Sequence, residues 1–479
     1  MTQDFEAVIG LEVHTQLATQ SKLFCNCSTQ FGAEANHQTC PVCLGLPGSL
    51  PVLNRYAFDL GIKAALALNC QIAKRLKFDR KNYFYPDLPK AYQISQFDKP
   101  LSFGGYLDIV LPDGQAKKVG ITRAHLEEDA GKLLHDASEG ASLVDYNRGG
   151  TPLLEIVSEP DIRSPEEAYI YLNSLKTILE YANVSDCNME EGSLRCDANV
   201  SVRPRGQKEF GIKVEVKNLN SFKAVAKSIQ YEIDRQIQAI ADGETIRQET
   251  RLWNDGLSKT LPMRSKEQAH DYRYFPEPDL VPFTVSEEEV KKVLSQLGER
   301  PWERLKRLQD AFQLPLGDAQ QLVLDKKLGD FFEACMKYNV PGKRMCNWVL
   351  SELMGRLNER QIRIQKSPIT SEALAELVQL IENNTISGKI GKNVLDLMFE
   401  TGKSAVAVVE EKGLKQVTDT GEIETIVSDV IKQNPKPVAD FQSGEMKAIG
   451  FLVGQVMKAS KGKANPGLVN KILQEKLKK

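Results

Sequence analysis

AVIGLEVHTQL, residues 7–17, is the stretch that decides the fold of the N-terminal half of the chain. Its apolar side chains recur at every second position, which is typical of a strand with one buried face. The same alternation recurs in three further segments: GYLDIVL (105–111), LRCDANVSVR (194–203) and IKVEVKNL (212–219). These strands predict a mainly antiparallel sheet over residues 1 to 285.

One helix interrupts the strands, in SPEEAYIYLNSLKTILEYA (164–182). Ser164 is a suitable N-cap, Pro165 suits the first helical position, and Glu167 completes the pattern of a capping box. The apolar residues that recur at helical spacing predict its buried stripe: Ala168, Leu172, Leu175 and Leu179.

A Pro-rich segment, YFPEPDLVPF (274–283), ends the sheet region, since Pro can neither continue a helix nor lie in a central strand. Beyond it the pattern is helical, beginning with VSEEEVKKVLSQL (285–297), where Ser286 and Glu289 form a second capping pattern. The predicted fold class is therefore α+β, with an N-terminal sheet region followed by helices.

Composition excludes several classes of protein. The 479 residues suggest two to four domains, and no segment approaches the roughly 18 apolar residues of a membrane span. The first ten residues, MTQDFEAVIG, lack the basic region of a signal peptide. We expect a cytoplasmic protein, or one of an organelle matrix, with no membrane partner.

Four of the nine cysteines lie close together in sequence. Cys25 and Cys27 form one pair, and Cys40 and Cys43 form a second. Four thiolates from two tight turns suit a structural zinc site, because soft sulfur ligands suit Zn²⁺ and a closed shell leaves no reactive position. The alternatives are a set of reduced, buried thiols and a site that has lost its metal.

Charged residues occupy alternate positions of otherwise apolar strands. Glu12 and His14 project from one face of their strand, and the same spacing recurs in Asp197 with Asn199 and in Lys213, Glu215 and Lys217. A solvent-facing sheet explains any single strand of this kind. The same mixture on several strands is instead typical of a cleft that binds phosphate and metal.

More carboxylates follow in HLEEDAGK (125–132), which contains Glu127 and Glu128, and in TPLLEIVSEPD (151–161), which contains Glu155. Adjacent acids need a cation or water nearby to offset their repulsion. Carboxylates with at most one imidazole suit Mg²⁺ or Mn²⁺ better than zinc, and Mg²⁺ usually accompanies a nucleotide.

Two familiar kinds of site are missing from the sequence. GKS at 402–404 is not a phosphate-binding P-loop, because Leu397 stands where that motif needs glycine. The sequence also shows no convincing Ser/Lys or Cys/His arrangement for releasing ammonia from glutamine. The remaining cysteines lack an obvious neighbouring base and are predicted to be core thiols.

The C-terminal segment is basic although the whole chain is not. Residues 441–479 contain eight Lys and two Glu, whereas the formal net charge of the chain is −2. This excess indicates either a polyanion-binding patch or a solvated helix face.

These segments together resemble the B subunits of the heterotrimeric aspartyl/glutamyl-tRNA amidotransferases. The resemblance runs essentially end to end, and it is densest in blocks that occur in the same order: IGLEVHTQL (9–17), CPVCLGLPGSLPVLN (40–54), DRKNYFYPDLPKAYQISQ (79–96), RAHLEEDAGK (123–132), DYNRGGTPLLEIVSEPDIRS (145–164), GSLRCDANVSVR (192–203) and EVKNLNSF (215–222). Several blocks in one order are far more specific than any short motif.

The resemblance implies a two-step reaction and the residues that perform it. ATP would phosphorylate the side-chain carboxylate of Glu-tRNA(Gln) or Asp-tRNA(Asn), and ammonia would then displace phosphate. The expected activation site comprises Glu12, His14, Glu127, Glu128, Glu155 and Glu215. Four of these are expected to bind Mg²⁺: Glu12, His14, Glu127 and Glu215. Lys81, Tyr83 and Tyr85 are expected to line the site or an ammonia path, with core packing the alternative for the tyrosines.

The resemblance also implies partners and domains. An amidase A subunit would supply ammonia and a small C subunit would complete the heterotrimer, which explains the missing glutaminase residues. A catalytic cradle with the zinc knuckle is expected over 1–292, a helical domain over 293–409 and a helical tail over 410–479. In the tail, Lys458, Lys461 and Lys463 are expected to contact tRNA phosphates.

Two other functions stay open on the residues alone. A non-catalytic RNA-binding or assembly protein would bind no nucleotide and would tolerate substitution of Glu12. A metal-dependent hydrolase using Glu12, His14 and Glu127 would turn over without a partner. The sequence also leaves open which misacylated tRNA is preferred.

Overall fold

The computed structural model describes residues 4–136, 141–263, 272–415, 420–443, 445, 447–460 and 464–477. The chain forms two compact units, Met1–Pro301 and Trp302–Lys479. None of the helices within the described ranges combines the length and apolar character that crossing a bilayer requires.

The first unit is built around a nine-stranded sheet. Along the chain, its strands and those of three smaller sheets are β1 (Phe5–Gln16), β2 (Gln71–Ile72), β3 (Arg75–Leu76), β4 (Asp79–Asn82), β5 (Tyr92–Ser95), β6 (Ser102–Val110), β7 (Ala116–Glu128), β8 (Lys132–Asp136), β9 (Ala141–Asp145), β10 (Pro152–Ser158), β11 (Leu194–Pro204), β12 (Val214–Leu219), β13 (Thr250–Asn254), β14 (Lys259–Pro262), β15 (Phe275–Pro276) and β16 (Phe283–Thr284).

The strand order in the large sheet is β14-β13-β12-β11-β1-β10-β7-β6-β2. Within the described residues its neighbouring strands pair antiparallel, except for the parallel pair β12 and β13. The four segments with period-two alternation all form strands of this sheet, so the predicted antiparallel-rich sheet region is confirmed.

The described part of the first unit contains five helices: α1 (Pro41–Leu44), α2 (Arg55–Ala67), α3 (Pro165–Tyr181), α4 (Phe222–Ala241) and α5 (Glu287–Leu294). α2, α3 and α4 pack with the large sheet around one hydrophobic core. In β1, Leu11 and Val13 are buried in this core, so the alternate residues Glu12 and His14 project from the opposite face.

The predicted helix over 164–182 is confirmed as α3, including its buried stripe. Ser164 caps it by accepting a hydrogen bond from the Glu167 N–H. The predicted capping box also requires a hydrogen bond from the Ser164 N–H to the Glu167 carboxylate, and this part of the prediction is wrong. The Glu167 carboxylate instead accepts from the Arg163 N–H and pairs with Lys117, whose charge draws it away from the cap. At α5 the box of Ser286 and Glu289 is complete, as predicted.

The second unit is helical, which confirms the coarse prediction for this half. Its elements are α6 (Pro301–Phe312), α7 (Leu316–Leu324), α8 (Lys326–Met336), α9 (Gly342–Asn347), a π-helical turn (Trp348–Leu353), α10 (Met354–Glu359), a 3₁₀ turn (Ile364–Lys366), α11 (Ser371–Glu382), α12 (Gly388–Thr401), α13 (Ala405–Glu411), α14 (Thr420–Gln433), α15 (Pro435–Gln442), α16 (Ala448–Ala459) and α17 (Pro466–Leu477). α14 to α17 share a hydrophobic core of their own.

Candidate active site

Four polar side chains lie in a row across four adjacent strands. Antiparallel register places His125 of β7 opposite Glu155 of β10, Glu155 opposite His14 of β1, and His14 opposite Arg195 of β11. Residues paired in this way project from the same face of a sheet. The row therefore crosses the polar face, on the side opposite α2, α3 and α4.

Three members of this face form a compact cluster. The Nε2 atom of His14 lies 3.4 Å from Oε1 of Glu127 and 3.5 Å from Oε2 of Glu155. One nitrogen and two carboxylate oxygens of these residues all lie within 4.8 Å of one another, which suits a shared cation. His125 adjoins the cluster, because its Nε2 atom lies 3.2 Å from Oε2 of Glu155.

The charges in this cluster are tightly balanced. Burial alone would lower the pKa of both histidines, but Glu155 and Glu127 outweigh it: they raise the pKa of His14, and that of His125 to about 9. Burial opposes ionisation of Glu155, yet His125 and His14 hold the pKa of this carboxyl far below its usual range. The two carboxylates thus favour the protonated imidazole of His14, and a metal ion would compete with that proton.

Glu12 lies beside the cluster among further acids. The side-chain amide of Asn199 donates a hydrogen bond of 3.0 Å to Glu12. Burial, followed by the negative charges of Glu155 and Glu215, raises the pKa of Glu12. The Nζ atom of Lys217 lies 2.9 Å from Asp197 and 3.0 Å from Glu215, and so offsets part of this charge. The negative charge around Glu12 thus favours a cation nearby.

Lys81 and three tyrosines lie on the Glu127 side of the cluster. Burial would lower the pKa of Lys81, but the charge of Glu127 and the neighbouring phenols raise it. Its Nζ atom lies 4.8 Å from the ring centroid of Tyr272. The rings of Tyr272 and Tyr83 pack in a T-shaped arrangement, with 5.9 Å between their centroids. Tyr274 stacks on Phe97 at 4.2 Å. Of the two predicted tyrosines, Tyr83 is therefore close to Lys81, whereas Tyr85 is exposed.

Glu128 is the predicted site residue that the structure separates from the others. It follows Glu127 on β7 and so points to the other face of that strand. There it accepts a 2.9 Å hydrogen bond from the Ile94 N–H and pairs with the buried ammonium of Lys90. Both of its partners are internal, and this pair lies beside the cysteine cluster rather than beside His14.

The four N-terminal cysteines come together around the start of α1. Their Sγ atoms all lie within 4.8 Å of one another, which makes the cluster a candidate metal site: Cys25, Cys27, Cys40 and Cys43. A hydrogen bond from the Cys25 thiol, supported by the Cys40 N–H and the charge of Lys22, lowers the pKa of Cys43 to about 4. Lys22 is fully buried, and its Nζ atom lies 3.6 Å from the Cys43 sulfur.

Sequence reasoning missed several residues of this site. His125, Arg195, Asp129, Tyr272 and Tyr274 were not among the predicted site residues, although all lie near the cluster. A signal existed for His125, which stands two positions before Glu127 just as Glu12 precedes His14. The tyrosines lie in a segment that only the fold brings beside β4.

The predicted tRNA-binding lysines are only partly described. Lys458 is exposed in the last turn of α16. Lys461 and Lys463 lie outside the described residues.

Family models and curated relatives match this chain over nearly its whole length, and all of them indicate the same family. The model of the GatB/GatE catalytic domain matches residues 7–291, and that of the GatB domain matches 330–477. The B subunit of the aspartyl/glutamyl-tRNA(Asn/Gln) amidotransferase of Carboxydothermus hydrogenoformans is 55% identical, with 100% of both chains covered. The protein of that name from Caldanaerobacter subterraneus is 57% identical over 99% of this chain and 100% of its own. The one from Geotalea daltonii is 56% identical over 99% of both. The chain belongs to the family of aspartyl/glutamyl-tRNA(Asn/Gln) amidotransferase B subunits.

Proposed function

We propose that this chain catalyses the ATP-dependent transamidation of Glu-tRNA(Gln), Asp-tRNA(Asn) or both, giving Gln-tRNA(Gln) or Asn-tRNA(Asn). The observation that carries the proposal is the cluster of His14, Glu127 and Glu155 on the polar face of the sheet, inside the segment that matches the family's catalytic domain. The relatives that carry the name of this amidotransferase match the chain over their full length.

The reaction needs an activated carboxylate, because a carboxylate has no good leaving group for an amine to displace. A carboxylate oxygen of the aminoacyl group attacks the γ-phosphorus of ATP, ADP leaves, and an acyl phosphate forms. Ammonia then attacks the acyl carbon, phosphate leaves, and the nitrogen loses a proton. Mg²⁺ supplies charge neutralisation for the phosphoryl oxygens in the first step.

The chain's own residues provide ligands for that cation. We assign one Mg²⁺ to His14, Glu127 and Glu155, whose ligand atoms converge. Glu12 and Glu215 would be the carboxylates for a second, because a cation there would offset the negative charge that helps to raise the pKa of Glu12. Glu128, with its internal partners, has a positioning role at most, through Lys90 and the β5 backbone.

The cysteine cluster is proposed as a structural zinc site. With zinc–sulfur bonds of about 2.3 Å, a tetrahedral site places its sulfur atoms about 3.8 Å apart. The Sγ atoms of Cys40 and Cys43 are 3.9 Å apart, which supports this assignment. Four protein ligands leave no coordination position for substrate, so zinc here would hold the knuckle together.

The proposed assembly is a heterotrimer with an amidase A subunit, which supplies ammonia from glutamine, and a small C subunit. The proposed division of labour places catalysis in 1–292, a helical domain in 293–409 and tRNA contact in the tail, 410–479. The exposed position of Lys458 supports the last of these. Lys461 and Lys463 are proposed from the basic character of the same segment.

The test is amide formation by the reconstituted heterotrimer from ammonium chloride instead of glutamine. Supplying ammonia directly removes the A subunit's chemistry from the measurement. We expect amidated aminoacyl-tRNA to form only when ATP, Mg²⁺ and misacylated tRNA are all present. The proposal fails if a complex that hydrolyses glutamine normally makes no amide under these conditions.

A further inference from the structure

Arg195 is a cation beside the acidic cluster that the proposed chemistry leaves unused. It lies on β11 directly opposite His14, on the same face of the sheet. Its neighbours on the strand, Leu194 and Cys196, are buried in the core, so the alternation points Arg195 away from the core.

A buried carboxylate holds this guanidinium in place. Oδ1 of Asp129 accepts a 2.8 Å hydrogen bond from Nη2 of Arg195, and Oδ2 accepts a 3.0 Å bond from the Gln16 amide. Burial would raise the pKa of Asp129, but Arg195 and Arg148 outweigh it and lower that pKa. A charge pair with a fully buried anion fixes the position of the cation and reduces the entropy lost when it binds a ligand.

Most N–H groups of the Arg195 guanidinium are available to donate hydrogen bonds to a ligand. Among the described residues only Asp129 accepts a hydrogen bond from it, and its buried Nε–H has no acceptor there. Arg148, the second cation near Asp129, differs in this respect. Its Nε and Nη2 atoms donate to the carbonyl oxygens of Ala130 and Gly131. An unsatisfied donor beside a partly exposed guanidinium favours an anionic ligand.

The position of Arg195 beside the acidic cluster indicates the chemical class of that anionic ligand. The positive charge of Arg195 acts on His14, and the negative charge of Glu127 acts on Arg195. An anion bound by the guanidinium therefore lies next to the proposed Mg²⁺ ligands. The planar guanidinium matches the oxygens of a phosphoryl group, and such clamps stabilise phosphoryl transfer.

We propose that Arg195 binds the phosphoryl group that is transferred from the nucleotide to the substrate carboxylate. This inference rests on the proposed function. In the step concerned, the carboxylate oxygen bonds to the γ-phosphorus while the bond from that phosphorus to the bridging oxygen of ADP breaks. ADP takes the electron pair. Arg195 contacts the non-bridging γ-oxygens throughout, and Asp129 acts as its positioning residue.

The test compares two nucleotides on the intact heterotrimer with Mg²⁺ present. Calorimetric binding constants are measured for AMPPNP, which has a γ-phosphoryl group, and for ADP, which lacks one. We expect Arg195→Met to weaken AMPPNP binding by about ten-fold or more and to leave ADP binding unchanged. We also expect ATP-dependent amide formation to fall by about a hundred-fold while glutamine hydrolysis persists.

Two variants keep the result interpretable. Arg195→Lys retains the charge and the Asp129 pair but loses the planar guanidinium, so it carries the test if Arg195→Met does not fold. Arg203→Lys is the matched control, because Arg203 lies on the same strand and pairs with Glu6. Equal weakening of both nucleotides, or of neither, overturns the inference. A wild-type complex that binds AMPPNP and makes no amide overturns the proposed function instead, and leaves the nucleotide comparison valid.

Discussion

His14 illustrates how one position on a strand acquires a chemical role. Its neighbours Leu11 and Val13 are needed in the core, and the alternation of the strand leaves its imidazole on the polar face. The pairing of β1 with β10 places His14 opposite Glu155, and the side chain of Glu127 reaches it from β7. A half-buried imidazole next to two carboxylates is suited to share a cation with them.

Replacement of His14 should therefore raise the Mg²⁺ concentration that amide formation requires. We expect His14→Ala to raise the Mg²⁺ concentration for half-maximal amide formation by about ten-fold or more. Titration of Mg²⁺ at saturating ATP measures this. His37→Ala is the control, since His37 is exposed and belongs to the segment between the two cysteine pairs. An unchanged Mg²⁺ requirement in His14→Ala would remove this residue from the metal site.

At the scale of elements, the turns around α1 depend on the cysteine cluster. These turns hold Lys22, a fully buried lysine whose ammonium donates to the Gln38 carbonyl oxygen and to Cys43. An ammonium in such a place needs negative charge nearby, and thiolates bound to a metal ion supply it. A metal ion bound to these cysteines would thus stabilise the buried Lys22 as well as the turns.

Loss of one thiolate should release the metal and loosen this segment. We expect Cys40→Ser to lose its zinc and to lower the free energy of unfolding by about 3 kcal/mol or more. Zinc content and thermal unfolding of the same preparation measure both effects. Thr39→Ser, one residue away, should change neither. Full zinc content in Cys40→Ser would show that Cys40 is no ligand.

Helix α3 tests the packing of the other face of the sheet. We expect Ser164→Ala to destabilise the protein by about 1 kcal/mol, because the Glu167 N–H loses its acceptor. Ser174→Ala, the same substitution in the middle of the same helix, should be neutral or slightly stabilising. Urea unfolding of both variants compares them. Equal effects of the two substitutions would contradict a capping role for Ser164.

At the scale of the whole molecule, the two units carry different chemistry. The sheet unit contains the cluster of His14, Glu127 and Glu155 and the four-cysteine cluster, whereas the helical unit contains the basic segment at its end. An enzyme that modifies an aminoacyl group on a tRNA has to contact the RNA backbone as well as the reacting end. Phosphate contacts position the RNA without reading its sequence.

The tail should thus affect substrate binding rather than chemistry. We expect Lys458→Glu to raise the KM for misacylated tRNA several-fold and to reduce the salt dependence of binding, with kcat unchanged. Steady-state kinetics at two ionic strengths measure this. Lys343→Glu, an exposed lysine of α9, is the control. A fall in kcat without a change in KM would argue against a tRNA contact at Lys458.

How much of this could be predicted from sequence follows from the range of the interactions. Alternation identified the strands and the polar face, because period two is local. Local spacing also identified the cysteine pairs and the face that carries Glu12 and His14. Strand order is not local: it decides that Glu155 stands between His14 and His125. For the same reason sequence could not anticipate that Asp129 would hold Arg195, 66 positions away.

Glu128 shows a further limit. It belongs to the same acidic run as Glu127, and a run of adjacent acids says nothing about which of them faces the site until the strand is known. The resemblance to the family supplied the reaction and the partners. It placed both glutamates in the activation site, with only Glu127 expected to bind Mg²⁺, and the hydrogen bond from the Ile94 N–H shows which way Glu128 points.

The most direct test concerns Glu12, which would be a ligand of the second proposed cation. The heterotrimer containing Glu12→Ala is supplied with Glu-tRNA(Gln), ATP, Mg²⁺ and glutamine, and both amidated tRNA and glutamine hydrolysis are measured. We expect amide formation to be abolished while glutamine hydrolysis continues, which places activation and amidation on this chain. Amide formation at the wild-type rate would contradict the proposed active site and leave a role in RNA binding or assembly.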